Sequence, residues 1–96
     1  MAKYVSLISW TEQGVKSFKD TTKRAEEAAA LAAKLGGKFT AYWTIGGFDL
    51  VTISEFADDE TATAFLLRVA SAGNIRTQSM RAFDAQEMGA IIARTP

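Results

Sequence analysis

Asp49 and Arg81 are the charged residues whose positions suit them to stabilise charge on a reacting ligand, and Trp10 and Tyr42 are the aromatic groups suited to hold one. Asp49 follows Gly46-Gly47-Phe48 at a turn-to-strand junction. There its carboxylate either contacts a ligand or catalyses, or it caps the turn and pairs with an arginine. Arg76 and Arg81 are an odd number of positions apart, so an undistorted strand sends them to opposite faces and only Arg81 is a ligand candidate. Trp10 and Tyr42 each combine an apolar ring with a polar edge, which suits an aromatic, quinone-like or otherwise hydrophobic ligand. Burial between two copies of the chain uses the same properties.

The chemistry open to such a set is narrow. The sequence has no histidine, which removes the usual neutral-pH base and the proximal ligand of a conventional haem site. It has no cysteine, which removes disulfides, thiol nucleophiles and the common structural zinc sites. Asp49, Asp58, Asp59 and Glu60 form no recognisable hard-metal motif, so neither a metal nor another cofactor is expected. Two readings remain. One is a small homo-oligomeric domain for small-molecule binding or assembly. The alternative is a cofactor-independent oxygenase or isomerase acting on a small apolar or aromatic substrate in an intersubunit cavity, with Asp49 or Arg81 stabilising charge.

Ninety-six residues, 48% apolar and 23% charged, set a single domain over 1–96 as the expectation. A chain of this length buries only about two-thirds of its extended surface, so cover from a partner would stabilise it. Net charge is zero; residues 1–48 carry seven basic and four acidic groups, and residues 49–96 carry four basic and seven acidic. That dispersal argues against a nucleic-acid partner, which requires an accumulated positive patch. Gly46-Gly47 is not followed by a helix, so a phosphate cradle is not indicated. The apolar runs are too short to span a bilayer and the first residues lack a signal-peptide core, giving no membrane partner and a cytoplasmic location as expectations.

The elements that must position these groups follow from pattern. Residues 3–10 alternate as a strand, and residues 14–35 have helical spacing with a possible restart at Thr21 or Thr22 and a stop at Gly36-Gly37. Strands are expected over 38–45 and 48–56, closed by a tight Gly46-Gly47 turn. Asp58 caps a helix running to about Ala72, with Phe65, Leu66 and Val69 on its apolar face; a strand from Ile75 to about Phe83 follows. Asp84 and Glu87 have the spacing of a capping box opening a short last helix. The order is a ferredoxin-like βαββαβ, an α+β sandwich of two helices over one face of an antiparallel sheet.

Placing Val5, Leu7, Phe39, Ala41, Val51 and Ile53 beneath the helices leaves Tyr4, Ile8, Trp10, Tyr42, Leu50, Thr52 and Arg81 on the uncovered face. Such a surface is unusual in water, and self-association is expected through Tyr4, Ile8, Trp10, Leu50 and Thr52 as a homodimer or higher homo-oligomer. Trp43 has the other parity and is expected under a helix, while Arg24 and Arg68 read as helix-surface groups.

Gly46-Gly47-Phe48-Asp49 resembles the GYD-domain family, whose pattern has tyrosine where this chain has Phe48. The resemblance extends through Trp10-Thr11-Glu12-Gln13-Gly14, Gly36-Gly37, Gly73-Asn74-Ile75-Arg76-Thr77 and Arg81-Ala82-Phe83. It implies a ferredoxin-like domain assembling as a dimeric α/β barrel, generally without an assigned activity. Phe48 lacks the phenolic hydroxyl, so a mechanism needing that group at this position is not implied.

Overall fold

Glycine and proline punctuation is sparse, and the long apolar-patterned segments become nine elements. The computed structural model describes residues 1–96 as β1 (Ala2–Trp10), α1 (Glu12–Lys16), a 3-10 turn (Phe18–Asp20), α2 (Thr21–Lys34), β2 (Lys38–Trp43), β3 (Leu50–Phe56), α3 (Asp59–Ser71), β4 (Ile75–Ala82) and α4 (Ala85–Ala93). The strands form one antiparallel sheet in the order β2-β3-β1-β4, with α2 and α3 packed on one face. This is the ferredoxin-like sandwich with a short C-terminal helix.

The helical region before Gly36 is broken. Thr11 caps α1 by accepting the Gly14 amide at 3.0 Å, and the chain tightens through the 3-10 turn before α2 begins. Gly14 is required there: a β-carbon on it would overlap the carbonyl oxygen of Asn74. That close approach, with Thr11 N–H donating to Asn74 O at 3.0 Å and Thr11 Oγ1 to Gly73 O at 2.7 Å, ties the end of β1 to the connection before β4.

The β2–β3 connection is longer than the tight turn expected. Thr44 N–H donates to Asp49 O at 2.9 Å and the Thr44 hydroxyl to Phe48 O at 2.6 Å, closing a loop over Ile45, Gly46, Gly47 and Phe48. The strands therefore end at Trp43 and resume at Leu50.

The face assignment of β1 and β3 is reversed from the sequence expectation. Tyr4 (7% exposed), Ile8 (5%), Leu50 (6%) and Thr52 (2%) lie beneath the helices with Ser6, Ser54 and Phe56. Trp10 shares that parity and lies at the end of the same row. Arg81 pairs with Tyr4 across the sheet and belongs to the same face. Val5, Leu7, Val51, Ile53, Tyr42 and Met80 occupy the uncovered face instead. Phe39, Ala41 and Trp43 are on the helix side and Tyr42 on the bare side, as expected for β2. The reversal has a physical origin: β1 carries bulky residues at both parities, so alternation alone leaves its phase open.

The core is aromatic on the sheet and small on the helices. Tyr4, Phe56 and Phe65 stack in tilted pairs at 6.4 and 5.0 Å between ring centroids, and Ala28, Ala32 and Ala62 let both helices approach. Burying each phenylalanine contributes about 1.5–3 kcal/mol. Toward the other end of the helices the packing opens, and there the site lies.

Candidate functional site

Topology puts one end of each of six elements together. The C-termini of β1, β2 and α3 and the N-termini of α2, β3 and β4 meet at the end of the sandwich opposite the Phe56 core. Between them is a cleft of about 360 Å³. Its floor is Ile8, Trp10, Leu50, Thr52 and Thr77; Ala25, Ala28 and Leu31 of α2 form one wall, and Phe65 and Val69 of α3 with its C-cap Ala72 form the other. The alanines make this space. With long side chains at Ala25 and Ala28, α2 would fill the gap that its thin face leaves over the sheet.

The polar groups collect at the open end. Arg24 lines the cleft from the first turns of α2 and donates to Ser17 O at 3.0 Å, Ser17 Oγ at 3.1 Å and Gly14 O at 3.3 Å. Arg68 lines it from the last turn of α3 and forms no ion pair. Thr21 Oγ1 accepts the Trp43 indole N–H at 3.0 Å, leaving its own hydroxyl hydrogen free to donate. The indole N–H of Trp10 is buried without an acceptor. Glu27 is the one carboxylate on the lining.

The four residues expected to bind a ligand do not converge. Trp10 lines the cleft, whereas Tyr42 is on the bare sheet face and 56% exposed. Asp49 sits at the sheet end with its Oδ2 accepting the backbone N–H of Trp10 at 2.8 Å, while its own N–H donates to Ile8 O at 2.8 Å. It thus continues the β1–β3 ladder by one side-chain bond, holding two lining residues without itself lining the cleft. Arg81 lies toward the far end of β4, its guanidinium 4.5 Å from the centroid of Phe83 and 5.7 Å from that of Tyr4. The expected interface residues Ile8, Leu50 and Thr52 are cleft floor, and Tyr4 is core.

Arg81 belongs to a second polar cluster. The Tyr4 hydroxyl donates to Asp59 Oδ1 at 2.5 Å, and Arg81 Nε is 4.0 Å from the same oxygen. Burial, reinforced by the Asp59 carboxylate, pushes the Tyr4 phenol up to about 12. A phenol held this firmly protonated fastens β1 to the first turn of α3 and is a poor general acid or base near neutrality. At the C-terminal end, Lys3 bridges Asp84 at 3.3 Å and Glu87 at 3.2 Å, docking the start of α4. No three or more acidic side chains gather as a metal-binding group, and no helix is long and apolar enough to cross a membrane.

Arg24 and Arg68, read from the sequence as helix-surface groups, are the two basic residues of the cleft lining. Their signal was present in helical spacing: Arg24 shares a stripe with Ala28 and Leu31, and Arg68 shares one with Phe65 and Ala72.

Fold and cleft together define a ferredoxin-like α+β domain with a cleft between its sheet and its helices. The chain belongs to the GYD-domain family, whose model matches residues 4–92. Among solved structures it is similar to At3g17210 from Arabidopsis thaliana, with a TM-score of 0.62 and 14% identity over 88% of this chain and 96% of that one. It is also similar to TA0507, a candidate chlorite dismutase, with a TM-score of 0.59 and 15% identity over 96% of this chain, which spans about half (48%) of that longer one. A de novo designed protein with a ferredoxin fold aligns with a TM-score of 0.54 at 8% identity over 88% of this chain and 86% of the design. At these identities the likeness concerns the fold. No curated protein matches the sequence.

Proposed function

We propose that this GYD-domain protein binds a small, largely apolar molecule in the cleft between its sheet and helices α2 and α3, and does so as a homodimer paired through its bare sheet face. The observation that carries the binding reading is the cleft: about 360 Å³, lined mostly by apolar residues, with Thr52 and Thr77 in its floor and the charged side chains contributed by the helices. Ligand sites share this design, at the lower end of the usual range of roughly 300–1,000 Å³. The pairing reading is supported by Val5, Leu7, Val51, Ile53, Tyr42 and Met80 lying together on a face that no element of the same chain covers.

Binding is favoured over catalysis because Asp49, Arg81 and Tyr42 do not line the cleft and the Asp49 carboxylate is used by the Trp10 backbone N–H, leaving Trp10 as the one member of the expected set on the lining. An oxygenase or isomerase needs its charge-stabilising group within reach of the reacting atom.

The test is titration with the neutral fluorophore N-phenyl-1-naphthylamine, with amide chemical shifts followed by NMR. Shifts concentrated on Ala25, Ala28, Thr52 and Thr77 are expected, together with loss of binding in Ala25→Phe, which fills the cleft. Shifts confined to Val5, Ile53 and Met80, or no shift of the cleft amides by this probe or by its sulfonated analogue, would overturn the assignment to the cleft.

A further inference from the structure

We infer that the cleft selects an anionic amphiphile, an apolar body carrying one carboxylate or comparable acidic group, with Arg68 as its principal charge partner. This inference rests on the cleft being the binding site and adds the class of molecule that it takes. Its basis is an imbalance of donors over acceptors at the open end.

Three groups there can donate: Arg68, Arg24 and Thr21. Arg68 stands on the last turn of α3 with no carboxylate partner, and Arg24 lines the same cleft from α2. The three acceptors of Arg24, Ser17 O, Ser17 Oγ and Gly14 O, are all neutral, so its hydrogen bonds fix its position without cancelling its charge. Deeper in the lining, Trp10 carries a buried indole N–H that lacks an acceptor, an arrangement that costs folding energy. Thr21 adds a hydroxyl whose accepting side is already used by Trp43.

Against these stands one lining carboxylate, Glu27, which forms no ion pair with either arginine. The lining therefore carries two guanidinium charges and one carboxylate, a net excess of one positive charge over an otherwise uncharged cavity. A neutral ligand leaves that excess uncompensated. A ligand with a single acidic head answers it, the head accepting from Arg68 and the neighbouring donors while the body lies between the alanine face of α2 and Phe65 and Val69 of α3. Arg24, already oriented by three bonds, sets the field at the site; Arg68, free to move, makes the contact.

The two fluorophores 1-anilinonaphthalene-8-sulfonate and N-phenyl-1-naphthylamine share one aromatic frame and differ in the acidic group, so they separate charge from cavity. The sulfonate is expected to bind the wild type about tenfold tighter at low ionic strength, the scale of one charge-assisted contact, with the advantage shrinking as salt screens the rim. Arg68→Gln is expected to remove most of that advantage and leave the neutral probe unchanged. Arg68 is exposed and its side chain forms no hydrogen bond or ion pair, so an unchanged melting temperature should accompany the substitution.

Equal binding of both probes at the cleft, or an unchanged sulfonate affinity in Arg68→Gln, overturns the anion assignment while leaving the cleft reading intact. Failure of both probes to shift the cleft amides overturns both. Competition by decanoate but not by decanol against the bound sulfonate is the result expected of a carboxylate-selective site, and equal competition by the two counts against it.

Discussion

The carboxylate of Asp49 accepts the backbone N–H of Trp10 at 2.8 Å, so the one residue of the Gly46-Gly47-Phe48-Asp49 segment suited to chemistry is used to hold the strand end that bears the cleft's tryptophan. β3 begins at Leu50 and offers Trp10 no backbone acceptor; the Asp49 side chain supplies it. Removing the acceptor is expected to cost about 1–3 kcal/mol. Asp49→Ala should therefore melt earlier and lose affinity for a cleft probe as Trp10 loosens. Asp49→Asn keeps an oxygen acceptor and should retain most of both. If Asn were as damaging as Ala, the negative charge itself, and not the hydrogen bond, would be the essential property.

Legibility of the fold tracked how local its causes were. Asp58 and Asp84 were readable as caps because their partners are three residues away, and both bonds are present at 2.8 Å. The phase of the sheet was a long-range matter. Ser6 and Ser54, polar residues within the strands, are buried: the Ser6 hydroxyl pairs with Ser79 at 2.7 Å and small side chains fit below the helices. One check was nevertheless available in the sequence. A hairpin centred on Gly46-Gly47 sets Ala41 opposite Thr52, as observed, so the two must share a face. The expectation had split them, and resolving that conflict in favour of Phe39 and Ala41 under the helices would have turned β3 over. The cleft was less legible, since it arises from an alanine stripe on one helix facing a stripe on another distant in sequence.

Tyr4 should make the fold sensitive to alkali. Its phenol is raised in the folded state to about 12 from an ordinary value of 10, so the folded chain holds this proton more tightly. The associated stability is fully present below pH 10 and is lost as pH rises through about 12. Denaturant midpoints measured across that window should fall in the wild type and fall less in Tyr4→Phe. Tyr4→Phe should itself cost about 1–2 kcal/mol near neutrality, because its hydroxyl bonds a carboxylate. An identical alkaline slope in both proteins would show that Tyr4 is not the group responsible.

The last helix should be acid-sensitive. Accepting the Glu87 amide holds the Asp84 carboxyl below the usual carboxylate range, and accepting the Asp84 amide, with Lys3 alongside, does the same for Glu87. Groups depressed on folding stabilise at pH values above the unfolded carboxylate range and lose that contribution as pH falls through their lowered values. Chemical shifts of Ala85–Ala93 should move toward coil values on acidification before those of α2 do, since α4 buries none of its residues. Asp84→Ala should produce the same fraying at neutral pH.

Gly14 should be intolerant of substitution. Its missing side chain admits the Asn74 carbonyl at the junction between β1 and β4, and the backbone on both sides is fixed by Thr11. Gly14→Ala sits in a helical segment and on propensity alone would stabilise it. The overlap is backbone on β-carbon and cannot be relieved by a rotamer change, so a net loss of about 1–3 kcal/mol is expected. A raised melting temperature would show that the Asn74 connection shifts freely, and with it the Trp10 end of the cleft.

The proposed homodimer makes a quantitative demand on its surface. Four strands at about 4.8 Å spacing and some seven residues at about 3.3 Å each present roughly 400 Å² of projected sheet, whereas a stable interface takes about 800 Å² from each partner. Side-chain relief raises the accessible area of the sheet face above this projection, and α4 is the element available to add to it. It is anchored only at its start, by Lys3, and exposes Met88 (46%) and Ile92 (61%) four residues apart on one stripe. Sedimentation equilibrium should accordingly report a dimer that Ile53→Lys converts to a monomer by placing a charge at the centre of the bare face. The double change Met88→Lys and Ile92→Lys should weaken the dimer without unfolding either copy. A dimer indifferent to Ile53→Lys but abolished by the α4 changes would mean that the helices pair alone and the sheet face stays open. A monomer at high micromolar concentration in the wild type would remove the dimer altogether, leaving the cleft as a site built by one chain.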